Sequence, residues 1–134
     1  MGRWRTPAGS ATSIPMSNQV HELLDLRDRL RTFAEERDWD QFHTPRNLAV
    51  AVSVEAAELV EPFRWGKSGE LAELTDSERE GVRLEAADVL LCLVRFADKA
   101  GIDLYAAALE KLEINRQNYP ADLVRGGSRR KDLR

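Results

Sequence analysis

Apolar residues recur every three or four positions through most of this 134-residue chain, which is the spacing by which an amphipathic helix buries one face. The first stripe of this kind predicts a helix from about Asn18 to Asp38. No segment alternates apolar and polar residues as a half-buried strand does. The pattern therefore predicts an all-α protein, folded as a compact, bundle-like domain of four helices.

The second predicted helix has a well-marked start. Thr44 is a typical N-cap residue, and Pro45 follows it in the first turn, where the missing N–H of proline costs nothing. The helix continues to about Pro62 and gives way to a loop that contains Gly66 and Gly69.

The third and fourth predicted helices are separated by a glycine. Thr75 and Glu78 have the spacing of a capping box, so the third helix starts there and runs to the residue before Gly101. The fourth helix starts near Asp103 and ends before Pro120, which cannot continue a helix.

The two ends of the chain differ in composition from the rest. Residues 1–17 are rich in Gly, Pro, Ser and Thr and lack an apolar period, which predicts a disordered leader. Residues 121–134 have the composition of a flexible basic tail, so the folded domain is predicted to span residues 18–120. Because both ends are basic, the net charge of −3 conceals a charge of −8 over residues 22–120.

Composition narrows the classes of protein to which the chain can belong. An acidic central region is a poor surface for a nucleic-acid polymer, whose phosphates are bound through Lys and Arg. No run approaches the roughly 18 apolar residues of a membrane span, so membrane association is not expected. Cys92 is the single cysteine, which excludes an internal disulfide framework and favours a reducing compartment, the cytoplasm.

Two acids interrupt the apolar stretch of the second predicted helix. Over residues 48–60 only Glu55 and Glu58 are charged. At about 100° per residue, Glu55 falls on the same side of the helix as Leu48 and Leu59. If that side packs inward, this glutamate is not an ordinary surface residue.

The third predicted helix repeats the arrangement. Over residues 84–94 only Glu85 and Asp88 are charged, and each pair of acids is spaced so that both carboxylates share one helix face. Four converging carboxylates repel each other and are costly to bury. Magnesium prefers oxygen ligands and is often shared with substrate phosphates. The two helices are therefore predicted to pack side by side around a magnesium site.

Two alternative roles are open to these acids. In the first, the acids lie at the edges of the apolar stripes and form ion pairs with nearby arginines. The arginines at suitable positions are Arg46, Arg64, Arg83 and Arg95. The second, a redox di-iron site, is disfavoured, because such sites use a Glu-x-x-His arrangement and both histidines, His21 and His43, lie outside the acidic motifs.

Several short stretches occur in a characteristic order along the chain. They are FHTPRNL at 42–48, VEAAEL at 54–59, FRW at 63–65, EAADV at 85–89 and KLEINRQNYP at 111–120. The two acidic motifs alone would be a weak signal, but in this order the stretches form a specific one. Together they cover roughly residues 20–120 and resemble the MazG-like nucleotide pyrophosphohydrolase superfamily, in particular its dCTP pyrophosphatase type.

The resemblance implies that Glu55, Glu58, Glu85 and Asp88 bind Mg²⁺, and that the bond between the α and β phosphates is cleaved. It also implies a homo-oligomer, commonly a tetramer built as a dimer of dimers, with substrate pockets formed partly by neighbouring chains. Many relatives carry a further acid directly before the first motif glutamate. This chain has Val54 there, which puts one contact to the metal in doubt.

A proton acceptor and a phosphate-binding segment are also predicted. Glu55 or Glu58 takes the proton of the attacking water, and the sequence does not distinguish between them. By resemblance, part of the fourth helix contacts the phosphates and the sugar. The residues concerned are Lys111, Asn115, Arg116 and Tyr119. The alternative for these positions is an ordinary charged face in solvent.

Aromatic residues near the ends of the first two helices flank the predicted cleft. Aromatic faces stack on bases with about 1–3 kcal/mol each, and Trp65 is the preferred stacking residue, with Trp39 as a further pocket residue. His43 either hydrogen-bonds the base or simply flanks the Thr44 cap. Core packing or a subunit contact is the alternative role for these aromatic side chains, above all for Phe42.

These observations predict a Mg²⁺-dependent hydrolase that splits dCTP, or a related or modified nucleoside triphosphate, into the monophosphate and pyrophosphate. A second hypothesis is phosphoribosyl-ATP pyrophosphohydrolase, which the HTPRN stretch and Trp65 make less favoured. A third is a non-catalytic helical oligomer that acts as a binding module. Such a module would not need four acids within its apolar stripes.

Overall fold

The computed structural model describes residues 16–127, with side chains from residue 21 onward. Five helices follow one another: α1 (Met16–Glu36), α2 (Pro45–Val60), α3 (Asp76–Ala100), α4 (Leu104–Asn118) and α5 (Ala121–Val124). Short 3-10 turns lie between α1 and α2 and between α2 and α3. Residues 16–127 contain no strand, so the predicted all-α class is confirmed.

The helix boundaries follow the predicted capping signals. The Thr44 hydroxyl accepts a hydrogen bond from the backbone N–H of Asn47 at 3.2 Å, and α2 begins with Pro45. Thr75 and Glu78 form the complete capping box at the start of α3. Gly101 ends α3 with φ +67°, a left-handed conformation that glycine adopts without the steric cost of a Cβ atom.

Within the described residues, 16–101 form one compact unit, in which α3 is the central helix. The helix α2 packs along α3, and α1 also contacts α3. The buried apolar side chains of this unit are Ala34, Leu48, Leu74, Val94 and Ala97. Because α2 and α3 pack side by side, their acidic faces come together.

A second compact unit starts at Ile102 and contains α4 and α5. The carboxylate of Asp103 caps α4 by accepting from the backbone N–H of Ala106 at 3.0 Å. The inclusion of α4 with the first three helices in one bundle stays a prediction.

The predicted leader, residues 1–17, lies outside the described residues except for its last two, which belong to the first turn of α1. The predicted basic tail begins with the short helix α5, and residues 128–134 lie outside the described range. Within the described part of the chain, none of the helices combines the length and the apolar character needed to cross a bilayer.

Candidate metal centre

Three carboxylates converge where α2 packs against α3. Glu55 and Glu58 lie one turn apart on α2, and Glu85 lies on α3. One carboxylate oxygen from each of these residues lies within 4.8 Å of the other two. Asp88, one turn further along α3, does not belong to this close group. Its negative charge nevertheless contributes to raising the pKa of both Glu55 and Glu85.

The Oε2 atom of Glu85 is buried and has no hydrogen-bond partner among the residues that the structure describes. Buried carboxylate oxygens are normally paired, because an unpaired buried polar atom loses the hydrogen bonds that water would have made. Hard divalent cations take carboxylate oxygens as ligands. The partnerless oxygen and the two glutamates beside it therefore form a donor set that suits such a cation.

The electrostatics of the cluster lead to the same conclusion. Burial is the main cause that raises the pKa of Glu55, followed by the negative charges of Glu58 and Asp88. The same causes, in the same order, raise the pKa of Glu85. Because the carboxylates disfavour each other's ionisation, negative charge is in excess here, and a bound cation would balance it.

Three of the four arginines that could have neutralised these acids have other partners. Arg64 pairs with Glu61 at 3.0 Å, and Arg83 pairs with Glu80 at 2.6 Å. Arg95 lies further along α3 and has partners of its own. Across residues 21–127, none of the four candidate arginines forms an ion pair with an acid of either motif. An ion-pair role for the two acidic motifs is therefore not supported.

Sequence reasoning missed a polar cluster centred on Arg95, whose side chain is only 7% exposed. Its guanidinium contacts Asp40 Oδ1 at 2.7 Å and Asp98 Oδ2 at 3.2 Å, and its Nε–H donates to His43 Nδ1 at 3.0 Å. Lys99 also reaches Asp40, at 2.9 Å. The only local signal was the three-residue spacing of Arg95 and Asp98, since the other partners lie more than 50 positions away.

The Arg95 cluster and the carboxylates occupy one side of α3. Asp88 and Arg95 are seven residues apart, which is almost two complete turns and therefore the same helix face. At about 1.5 Å per residue, the two positions are separated by roughly 10 Å along the axis. His43 contacts Arg95, and the ring of Trp39 lies edge to face against the His43 ring, with 6.5 Å between the ring centres. Of the predicted base-binding residues, His43 and Trp39 thus lie about two turns of α3 from Asp88.

Trp39 and Trp65 differ in how they are held. Trp39 packs edge to face on Phe33 at 5.8 Å. Trp65 follows the turn after α2 and is 85% exposed, with the Arg64 guanidinium 5.2 Å from its ring centre. An indole exposed to this degree leaves the ring face opposite Arg64 free for stacking, and it is no part of the protein core.

The loop after Trp65 is closed by a single carboxylate. Glu73 accepts hydrogen bonds from the backbone N–H groups of Lys67, Ser68 and Gly69 at 3.1, 2.8 and 3.3 Å. These bonds lower the pKa of Glu73, that from Ser68 most strongly. A Cβ atom at Gly66 would come too close to the Glu73 carboxylate, so a larger residue here would displace that side chain. The loop beside Trp65 therefore has a defined conformation.

Comparison with known proteins decides the family. Residues 50–129, which include α3, α4 and most of α2, match the MazG-like family. The chain belongs to the MazG-like family. The predicted superfamily is thereby confirmed.

Curated relatives of this MazG-like chain carry one name. Human (Homo sapiens) dCTP pyrophosphatase 1 is 46% identical over 110 residues, which are 81% of this chain and 65% of the human protein. The Bos taurus protein of the same name is 43% identical over 130 residues, which are 96% of this chain and 77% of the bovine one. This chain thus spans slightly less than two thirds of the human relative.

A solved structure supports the assignment of the fold. The chain is similar to a pyrophosphatase from Archaeoglobus fulgidus DSM 4304, with a TM-score of 0.69 and 42% sequence identity. The match covers 75% of this chain and 94% of that protein.

Four predicted substrate residues of the MazG-like chain lie in the second half of α4 or directly after it. They are Lys111, Asn115, Arg116 and Tyr119. Arg116 pairs with Glu113 at 3.2 Å, as on an ordinary helix surface. Because α4 belongs to the second compact unit, the role of these residues in substrate binding stays a prediction.

Proposed function

We propose that this chain is a metal-dependent nucleoside triphosphate pyrophosphohydrolase that converts dCTP, or a closely related nucleotide, into the monophosphate and pyrophosphate. The observation that carries the proposal is the convergence of Glu55, Glu58 and Glu85, together with the buried Oε2 atom of Glu85, which has no hydrogen-bond partner within residues 21–127. The name of the curated relatives supports this reaction and the choice of dCTP. The archaeal structure, a pyrophosphatase, supports the class of reaction.

Magnesium is the proposed cation, held by Glu55, Glu58 and Glu85, with Asp88 as the fourth ligand of the motif. When bound, it neutralises the triphosphate and lowers the pKa of a coordinated water. The excess negative charge at the cluster and the all-oxygen donor set support this choice over a transition metal that prefers nitrogen or sulfur.

The chain's own carboxylates handle the proton. A water oxygen attacks the α phosphorus, the bond from this phosphorus to the bridging oxygen breaks, and pyrophosphate leaves with the bonding electrons. Glu55 or Glu58 accepts the proton that the water loses. Phosphoryl transfer requires little covalent chemistry from the protein. Positioning of the substrate and neutralisation of its phosphate charges therefore account for most of the catalysis.

The nucleoside is proposed to lie along α3, towards His43 and Trp39. The separation of roughly 10 Å between Asp88 and Arg95 along α3 suits a nucleotide that has its phosphates at the carboxylates and its base at the aromatic end. Trp65 follows the opposite end of α2 from His43, so it is proposed to stack on the base bound in a neighbouring subunit. Residues of α4 and the position after it, namely Lys111, Asn115, Arg116 and Tyr119, are proposed to contact the phosphates and the sugar.

A homo-oligomer, with a tetramer as the proposed form, completes the proposal. Exposed apolar side chains on α2 and α3 support it, because exposed apolar surface is what a subunit interface buries. Examples are Val50, 57% exposed, and Leu84, 49% exposed. Light scattering coupled to size exclusion gives the number of subunits, and a monomer at micromolar concentration would contradict the tetramer.

The reaction is tested by incubating the protein with each dNTP, and with phosphoribosyl-ATP, in the presence of Mg²⁺. We expect dCTP to yield dCMP and pyrophosphate, and chelation by EDTA to abolish the activity until Mg²⁺ is restored. Orthophosphate as the first product would contradict the proposed bond. Turnover of phosphoribosyl-ATP in preference to every dNTP would favour the second hypothesis.

A further inference from the structure

We infer that Arg95 is a positioning residue for substrate recognition: its Nε–H donates to Nδ1 of His43 and holds that ring in the form that carries its proton on Nε2, ready to donate to an acceptor on the base. The inference rests on the proposed function, because it takes the ligand at His43 to be the nucleobase.

The tautomer follows from the chemistry of the contact. A guanidinium has five N–H donors and no acceptor, so the nitrogen that it contacts must be unprotonated. At 3.0 Å from Arg95 Nε, His43 Nδ1 is that nitrogen. A neutral imidazole carries its proton on one nitrogen only, and here this is Nε2. Across residues 21–127 no protein group accepts a hydrogen bond from Nε2.

Arg95 can fix the ring because it is itself fixed. Its side chain is buried, and its two terminal nitrogens contact Asp40 at 2.7 Å and Asp98 at 3.2 Å. The third donor, Nε–H, is directed at His43. With all three nitrogens in use and little room to move, the guanidinium orients the imidazole more strictly than a flexible lysine would.

The charges around His43 keep the ring neutral. Burial lowers its pKa, the positive charge of Arg95 lowers it further, and Lys99 acts in the same direction. Asp40 opposes these effects, but its carboxylate is already shared by Arg95 and Lys99. A neutral imidazole has one N–H donor and one acceptor nitrogen, so the group that faces each nitrogen must match it. A charged imidazole has two donors and no acceptor.

A donor at Nε2 discriminates between pyrimidines where it meets N3 of the base, because the O2 carbonyl accepts a hydrogen bond in all of them. Cytosine offers two adjacent acceptors, N3 and the O2 carbonyl, on the edge where thymine and uracil carry a proton on N3. We therefore assign to Arg95 and His43 together a share of the preference for cytosine nucleotides.

A double-mutant cycle tests whether Arg95 acts through His43. The substitution Arg95→Met leaves no acid unpaired, since Asp98 keeps Arg31 and Asp40 keeps Lys99. We expect Arg95→Met to raise KM for dCTP by about three- to tenfold with kcat unchanged, which is the effect of one weakened hydrogen bond. In a His43→Ala background, Arg95→Met should not raise KM further. Additive effects would overturn the inference.

Nitrogen NMR of the two histidine rings provides a readout that does not depend on turnover. In the wild-type protein at neutral pH, we expect His43 to show an unprotonated Nδ1 and a protonated Nε2, and to have a pKa below the ordinary histidine value of 6.5. Arg95→Met should abolish this fixed pattern. The matched control, Arg83→Met, removes an exposed arginine of the same helix and should leave it intact.

The two proposals fail in different ways. A proton on Nδ1 of His43 in the wild-type protein would overturn the role of Arg95, whatever the protein hydrolyses. Absence of pyrophosphate from every nucleotide would count against the enzyme, while the NMR pattern would still decide whether Arg95 sets the state of His43. The wild-type spectrum needs no variant, so it stands even if Arg95→Met folds poorly.

Discussion

A carboxylate oxygen of Glu55 lies within 4.8 Å of one of Glu85, across the interface between α2 and α3. Each residue belongs to a different helix, and in both the pKa is raised, first by burial and then by neighbouring negative charge. Packing the two helices together thus forces acids into proximity, and without a cation this proximity costs stability. Binding of the cation is thereby coupled to the stability of the helix pair.

Removing one charge from this cluster should stabilise the metal-free protein. In EDTA at neutral pH, we expect Glu55→Gln to raise Tm, because it removes the repulsion of Glu58 and Glu85. The same substitution should abolish most of the rise in Tm that Mg²⁺ produces in the wild-type protein, since a ligand is lost. Differential scanning fluorimetry measures both. Glu22→Gln, an exposed glutamate of α1, is the control and should change neither value.

The advantage of Glu55→Gln in EDTA should depend on pH. A carboxyl whose pKa is raised by folding binds its proton more readily in the folded protein, so its destabilising effect is present above the folded pKa. The effect is absent below the ordinary value of 4.5. The difference in Tm between variant and wild type should therefore shrink as the pH falls from 8 towards about 4.5. A difference that grew with acidity would contradict the raised pKa.

Loss of the Glu58 or the Asp88 carboxylate should abolish turnover without unfolding the chain. We expect Glu58→Gln and Asp88→Asn each to lower kcat/KM by more than about 100-fold, since even changes to residues that support metal ligands cost about 10- to 100-fold. Circular dichroism should show unchanged helix content. The control Asp76→Asn alters an exposed acid on the first turn of α3 and should retain activity. Wild-type rates in Asp88→Asn would show that Glu55, Glu58 and Glu85 suffice.

Trp65 should contribute to binding of the nucleotide and little to stability, because its indole is 85% exposed. Loss of one stacking contact, worth about 1–3 kcal/mol, should raise KM for dCTP by about 5- to 150-fold in Trp65→Ala. Trp65→Phe keeps an aromatic face and should recover part of the loss. Unchanged Tm with raised KM identifies a contact to the substrate, whereas a large drop in Tm would indicate a structural role.

The loop beside Trp65 should depend on Glu73. In Glu73→Gln, one of the two acceptor oxygens becomes an amide nitrogen, so the backbone N–H groups of Lys67, Ser68 and Gly69 cannot all keep their partner. We expect trypsin to cleave after Lys67 faster in this variant, because local opening precedes proteolysis. Glu70 is an acid of the same loop that accepts none of these three hydrogen bonds. The Glu70→Gln variant should therefore be cleaved at the wild-type rate.

The order of the helices, their ends and the faces on which the acids lie could be predicted from the sequence, because each depends on residues a few positions apart. Thr44 and Thr75 cap helices through bonds to residues three positions later, and Gly101 ends a helix by its own backbone conformation. The pairing of Glu55 with Glu58 on one face follows in the same way from the 3.6-residue repeat. These properties are local, so the sequence alone was enough to determine them.

The burial of Glu85 Oε2, the separation of Asp88 from the three converging acids and the contacts of Arg95 were decided by tertiary structure alone. Arg95 reaches His43 and Asp40 from 52 and 55 positions away, and no local pattern encodes such a pairing. The physical reason is that burial and long-range contact depend on how α2 and α3 pack. That packing is set by many side chains at once, so a motif shows which groups are present but not which of them meet.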